Sequence, residues 1–206
     1  DLGQTINNFN NVERIEVLKG PQGTLFGRNA TGGLIHVITR DPGDEVLLKG
    51  NIGYGNFKSV TGQFYAGGPI TDNLGWDVAF SGQDQGKGWG RNVTLNKDWK
   101  LDDHWGLRSK AVFRASDAVK FTLIGDYYTI HDNTALGYNI ERGTVGSTGV
   151  VSTARRQDTQ VNDLSETRLK IWGVSFKGEA DVGLGTLTSI TSYRKNNNHS
   201  GVDVDG

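Results

Sequence analysis

The chain has no cysteine and no methionine, only three prolines, and no apolar run as long as a membrane-spanning helix. Without cysteine there is neither a disulfide framework nor a thiolate metal site. Hydrophobic residues make up 35% and aromatics 9%, too polar for a helical membrane protein, whose spans need roughly 18 or more consecutive apolar residues. The one other structure that satisfies its own backbone in lipid is the β-barrel. Neither sign of charge dominates: 22 Lys and Arg against 23 Asp and Glu leave a formal net charge of -1, which gives no electrostatic reason to expect nucleic acid. Position 1 is Asp and no signal sequence follows, so residue 1 is not expected to be the start of the gene product. His36, His104, His131 and His199 stand far apart, none with a second His or a Glu at ligand spacing. No nucleophile elbow or Glu-His helix motif appears either. Catalytic residues, a metal and a cofactor are therefore not expected, and an enzyme is a remote reading.

What the chain has in excess is glycine, 30 of 206 residues, about twice the usual ~7%. The densest pattern runs from Asn11 to Pro42. In Val12 to Lys19 apolar and charged residues nearly alternate, which suits a short strand with Ile15 and Val17 on one face and Arg14 and Glu16 on the other. Gly20-Pro21 ends it, because Pro21 cannot donate to a ladder and fixes its own φ. Leu34 to Ile38 is apolar on both faces except at His36, so it reads as a strand buried between layers. The glycines do not bind phosphate by a known motif: Gly27 is followed by Arg28-Asn29 where a P-loop needs Lys and then Ser or Thr, and no G-x-G-x-x-G follows a strand. Sequons at Asn29, Asn92 and Asn198 are of a kind common by chance and are read as carrying no function.

This segment closely resembles the end of the plug domain of TonB-dependent outer-membrane receptors, the domain that sits inside the transporter barrel. The matching positions are Glu13 and Arg14, Ile15-Glu16-Val17, Gly20-Pro21, a small helical turn around Leu25 and Phe26, Gly27-Arg28, Gly32-Gly33 and the closing strand to Pro42. Glu13, Arg14, Glu16, Lys19 and Arg28 are costly inside a barrel unless paired, and wall charges are the natural partners. The resemblance implies that the cation just before Gly-Pro latches onto wall carboxylates. Here that cation is Lys19 where many relatives carry Arg, so a fork is replaced by a point charge; the other reading of Lys19 is a side chain in interfacial water. His36 stands where relatives commonly have Asn, and reads as a hydrogen-bonded packing residue.

After Pro42 come repeated segments of roughly the 9 to 11 residues that cross an outer membrane as a tilted strand. Seven are expected: Glu45 to Tyr54, Phe57 to Gly67, Leu74 to Asp84, Trp105 to Ala115, Val119 to Ile130, Arg168 to Gly178 and Gly185 to Lys195. In the third, Trp76, Val78 and Phe80 oppose Asp77, Ala79 and Ser81; in the fourth, Leu107, Ala111 and Phe113 oppose Arg108, Lys110 and Arg114; in the fifth, Phe121, Leu123 and Tyr127 oppose Lys120, Thr122 and Asp126. The seventh alternates weakly. A soluble sandwich or lipocalin-like barrel also has short alternating strands, but rarely turns so many aromatics outward opposite a polar interior.

Every second connection is short. Outer-membrane barrels have short periplasmic turns and longer extracellular loops, so Gly67-Gly68-Pro69-Ile70, Ser116-Asp117 and Asp181-Val182-Gly183 are expected as periplasmic turns, with Gln85 to His104 and His131 to Thr167 as outer loops. The expected fold is mainly β: an incomplete transmembrane antiparallel β-barrel, about seven strands of a plugged barrel of roughly 22, preceded by the end of a plug domain. Residues 1–43 are the C-terminal part of the plug and 44–206 the N-terminal portion of the barrel, in the bacterial outer membrane, with the chain stopping inside the fourth extracellular loop. The resemblance implies active import of a scarce large ligand, often an iron chelate, driven by the TonB complex, whose contact box lies upstream, and contact with outer-membrane lipid. Trp89 and Arg91, and Tyr138 and Arg142 with Arg155 and Arg156, are candidate contacts for an anionic aromatic chelate; the other reading is ordinary solvated loop residues. A plugged barrel used mainly for signalling or surface adhesion is the alternative, and the plug argues against a passive porin.

Overall fold

The computed structural model describes residues 11–26, 30–99, 101–133, 142–145, 149, 151–152, 158–160 and 166–201. The first unit is an antiparallel hairpin of β1 (Val12–Lys19) and β2 (Gly33–Thr39), joined through the one-turn helix α1 (Gly23–Phe26). Ile15 pairs with Val37 and Glu16 with His36, which puts Arg14, Glu16 and His36 on one face. Gly33 has φ +131, and a Cβ there would collide with the carbonyl oxygen of Leu18, so the position accepts glycine alone. The expectation that β2 is buried between layers is not met within the described residues: it is half-buried, and Ile35 is 68% exposed. Among the described residues the two strands pack chiefly on each other and meet the larger sheet through Thr39 at the hairpin's exit.

The second unit is a seven-stranded antiparallel meander of β3 (Leu47–Gly55), β4 (Ser59–Thr71), β5 (Leu74–Gln85), β8 (Asp102–Ser116), β9 (Val119–Asp132), β10 (Thr167–Asp181) and β11 (Thr186–Ser200), in that spatial order. Each strand pairs with its sequence neighbour, as short turns and alternating patterns require. The sheet is open, with β3 and β11 as edges. No helix among the described residues is long and apolar enough to cross a membrane, which says nothing of strands.

The sheet is inverted relative to a soluble one. Along β5 Trp76 is 42% exposed and Asp77 wholly buried, Phe80 exposed and Ser81 buried. Trp76, Phe80, Trp105, Phe113, Leu123, Trp172 and Phe176 share one exposed face, joined by ring contacts such as Trp105 to Tyr127 at 5.0 Å and Phe121 stacked on Phe176 at 5.8 Å. Even the indole N–H of Trp76 is satisfied within this face, donating to Ser109 Oγ at 2.8 Å, as an apolar surrounding demands.

Two expectations are corrected. Gly67-Gly68-Pro69-Ile70 is not the turn: it lies within β4, and the chain reverses at Asp72-Asn73, where Leu74 N donates to Thr71 Oγ1 at 3.1 Å. Pairing with β3 stops at Gly67, so Pro69 sits where one side of β4 has no neighbour, and the register shifts beside it. The segment from Gln85 to His104 is not a plain loop. It contains a hairpin of β6 (Gly90–Asn92) and β7 (Lys97–Trp99), with Trp99 fully buried.

Candidate functional site

The hairpin's exit, Thr39 to Pro42, lies on the polar face of the wall. Lys110 of β8 is 3% exposed and spends all three N–H donors there: on Thr39 O at 3.0 Å, Arg40 O at 2.8 Å and Asp41 Oδ1 at 2.9 Å. Arg108 adds a bond to Thr39 Oγ1 at 3.3 Å. A Cβ on Gly75 would come within 2.9 Å of the Pro42 ring, so this glycine lets the linker lie flat against the wall. From Asp41 charges alternate outward along the sheet: Lys120 at 3.8 Å, then Glu179 at 3.3 Å from Lys120, then Lys177 at 2.7 Å. Further up, Arg194 of β11 bridges to Asp126 of β9. On this polar face Asp41, Lys120, Glu179, Lys177, Asp126 and Arg194 are thus paired, which makes ions tolerable there.

In the hairpin Arg14 joins Glu13 at 2.9 Å and Glu16 at 2.8 Å. The hydrogen bond from Arg14 holds the Glu16 carboxyl below its ordinary range. His36 lies 3.4 Å from Glu16 and meets the Phe26 ring edge-on at 5.8 Å. Gly20 has φ +83 beside Pro21 at the end of β1, and Gly20 N donates to Gly32 O across the loop. Lys19 is exposed and makes no ion pair among the described residues. Gly27 and Arg28 lie outside the described residues.

At the other end of the wall Trp89 and Arg91 alternate with buried Gly90 and Asn92, so they reach the same exposed side of the hairpin. Trp89 Nε1 donates to Gln85 Oε1, and the Arg91 guanidinium to Asn96 Oδ1. Main-chain bonds tie this hairpin to the following loop: Val93 N to Thr159 O at 2.9 Å and Thr159 N to Arg91 O at 3.0 Å. Arg142 is exposed on a separate turn, while Tyr138, Arg155 and Arg156 lie outside the described residues.

Lys110, Asp126 and Arg194 were not singled out as functional by the sequence pattern. Lys110 had a usable signal, an inward cation on a strand whose other face is apolar. Its partners are main-chain carbonyls distant in sequence, which no spacing rule reaches.

Residues 3–34 match the family model described as TonB-dependent Receptor Plug Domain. Over this segment the chain is similar to the plug of TonB-dependent receptors. Among the relatives of this chain is the pesticin receptor of Yersinia pestis, 39% identical over 72 residues, which are 34% of this chain and 10% of that protein. An iron-regulated outer membrane virulence protein of Vibrio cholerae is 26% identical over 92% of this chain and 27% of its own length. The structure matches the ferric yersiniabactin uptake receptor of Yersinia pestis with TM-score 0.73 at 20% identity, over 92% of this chain and 29% of that one. The chain thus spans less than a third of each of these proteins. The relatives' names are those of receptors and transporters, and of outer-membrane proteins.

Proposed function

We propose that this receptor imports a ferric siderophore or similar large chelate across the bacterial outer membrane by moving its plug, with energy from the inner-membrane TonB complex, and that it is not an enzyme. The carrying observation is the anchor at Lys110, which with Arg108 and Lys120 fastens the plug hairpin's exit, Thr39 to Asp41, to the wall, while the ion pairs of Glu13, Arg14 and Glu16 among the described residues stay within the hairpin. A plug held at its exit can rearrange without leaving the lumen. In this reading Lys19 latches onto a wall carboxylate, and Trp89, Arg91, Tyr138 and Arg142 make the first ligand contacts. The relatives named for ferric enterobactin and ferrichrome support the choice of ligand class.

The test is uptake of radio-iron chelates by cells carrying or lacking the intact receptor, with and without a proton-motive force. Uptake that needs both is expected, with surface binding surviving de-energisation. Uptake indifferent to energy would make it a passive channel, and a transcriptional response without uptake would make it a signalling barrel.

A further inference from the structure

Each cation that grips the exit has a second carboxylate on the wall. Lys110 of β8 is paired directly across from Asp77 of β5, Arg108 across from Asp126 of β9, and Lys120 lies 3.3 Å from Glu179. The first of these pairs is the unusual one. Asp77 and Lys110 are both buried, yet Lys110 directs its three N–H donors at Thr39 O, Arg40 O and Asp41 Oδ1, so none is left for its neighbour. Neither carboxylate oxygen of Asp77 accepts a hydrogen bond among the described residues. The Tyr65 hydroxyl is packed into the same corner, where a Cβ on Gly67 would come within 2.5 Å of it and 2.9 Å of Asp77 Cβ. A buried carboxylate without donors carries its full desolvation cost, and this one does so on the strand next to an ammonium, in surroundings where charges attract strongly.

We propose that Lys110 is a two-position latch: it holds the plug's exit in the resting receptor and turns onto Asp77 when the exit leaves the wall. Detaching one member of a buried pair strands the other, and that stranded charge is what makes the step costly. Asp77 supplies the partner that Lys110 loses and gains in the same step the donors it lacks. Arg108 and Lys120 meet the same need with Asp126 and Glu179, so release leaves no cation of this patch without an anion. Lysine suits the role, because its ammonium rides on a flexible four-carbon stem and swings between acceptors, where a guanidinium fork is held to one plane. The inference rests on the reading that the plug moves during import, and names the contact that lets its exit come free and dock again.

Outer membranes carrying the intact receptor are treated with trypsin and cutting after Arg40 is counted by mass spectrometry, with the fold checked by the heat-dependent shift in electrophoretic mobility. Cleavage of a segment that opens and closes quickly follows its open population. Asp77→Asn removes the waiting partner and the desolvation cost together, so cutting is expected to fall about tenfold, the low end for a close desolvated charge pair. A residue that merely supported Lys110 would give the opposite sign. In Lys110→Met cutting rises, and adding Asp77→Asn is expected to change it no further. Asp41→Asn keeps Asp77 and stands on its own should Asp77→Asn not fold: Lys110 is expected to pass to Asp77, and cutting to rise to the level of Lys110→Met. Unchanged or faster cutting in Asp77→Asn, a further change when it is added to Lys110→Met, or wild-type cutting in Asp41→Asn would each overturn the proposal. The membranes hold no energy source, so these counts decide the latch by themselves, while uptake indifferent to energy would remove only the import reading.

Discussion

Arg194 grips Asp126 with both terminal nitrogens, at 2.9 and 2.7 Å, by reaching over Gly173 on the strand between them. A Cβ on Gly173 would sit 3.2 Å from the guanidinium carbon, so the glycine is the saddle across which two non-adjacent strands are tied. The pair is more than half exposed on the arginine side, so its coupling is expected at about 1 kcal/mol or less. A double-mutant cycle of Arg194→Ala and Asp126→Asn, read by denaturant unfolding of the intact receptor in detergent, measures it. Gly173→Val is expected to abolish the coupling while leaving both partners in place; undiminished coupling there would show that Arg194 takes another path.

The anchor at Lys110 gives a sharper expectation. Lys110→Met leaves two carbonyls and Asp41 without their donor, a cost of about 3 kcal/mol, below the ~5 of a fully buried pair because Asp41 is nearly half exposed. Faster protease cleavage between Thr39 and Asp44 and greater entry of bulky antibiotics are the readouts. Wild-type cleavage at normal surface level would mean that backbone packing alone holds the linker. Lys19→Ala, measured beside it, tests the latch: raised entry restored by Lys19→Arg supports it, and unchanged entry makes Lys19 a solvated bystander.

Glu16 sets a pH window. Its folded pKa lies below its ordinary value of 4.5, chiefly through the Arg14 hydrogen bond. A depressed carboxyl favours the folded state above its unfolded pKa and loses that contribution as pH falls through the folded one. Hydrogen-exchange protection of β1 is therefore expected to be flat above about pH 5 and to fall below it, by a small amount since the pair is in open solvent. Glu16→Gln removes that dependence; an unchanged profile would assign it to another group.

The 206-residue chain expressed alone is expected to be insoluble without detergent. Both β3 and β11 present unpaired edges, and an aromatic face meets water. A monodisperse monomer with a cooperative melt in plain buffer would contradict the wall architecture.

Strand number and facing were legible in the sequence because alternation survives inversion: Trp76 and Asp77 swap faces relative to a soluble protein, yet keep period two. The hairpin motif was legible because positions such as Gly33 tolerate one residue. Pro69 misled because a proline ends pairing on one side only, and β4 needed just one neighbour there. The β6 and β7 hairpin was hidden because strands of three residues carry too little pattern to read. Lys110 and Arg194 depended on which distant strands lie adjacent, information held in register and not in spacing.

The main-chain bonds between Arg91, Val93 and Thr159 change the mechanics of the loops at this end of the sheet. A tether pinned partway along behaves as two shorter tethers, and closing a loop costs entropy that grows with its length. A ligand settling beneath these loops would have less freedom left to remove, so more of its contact energy would appear as affinity.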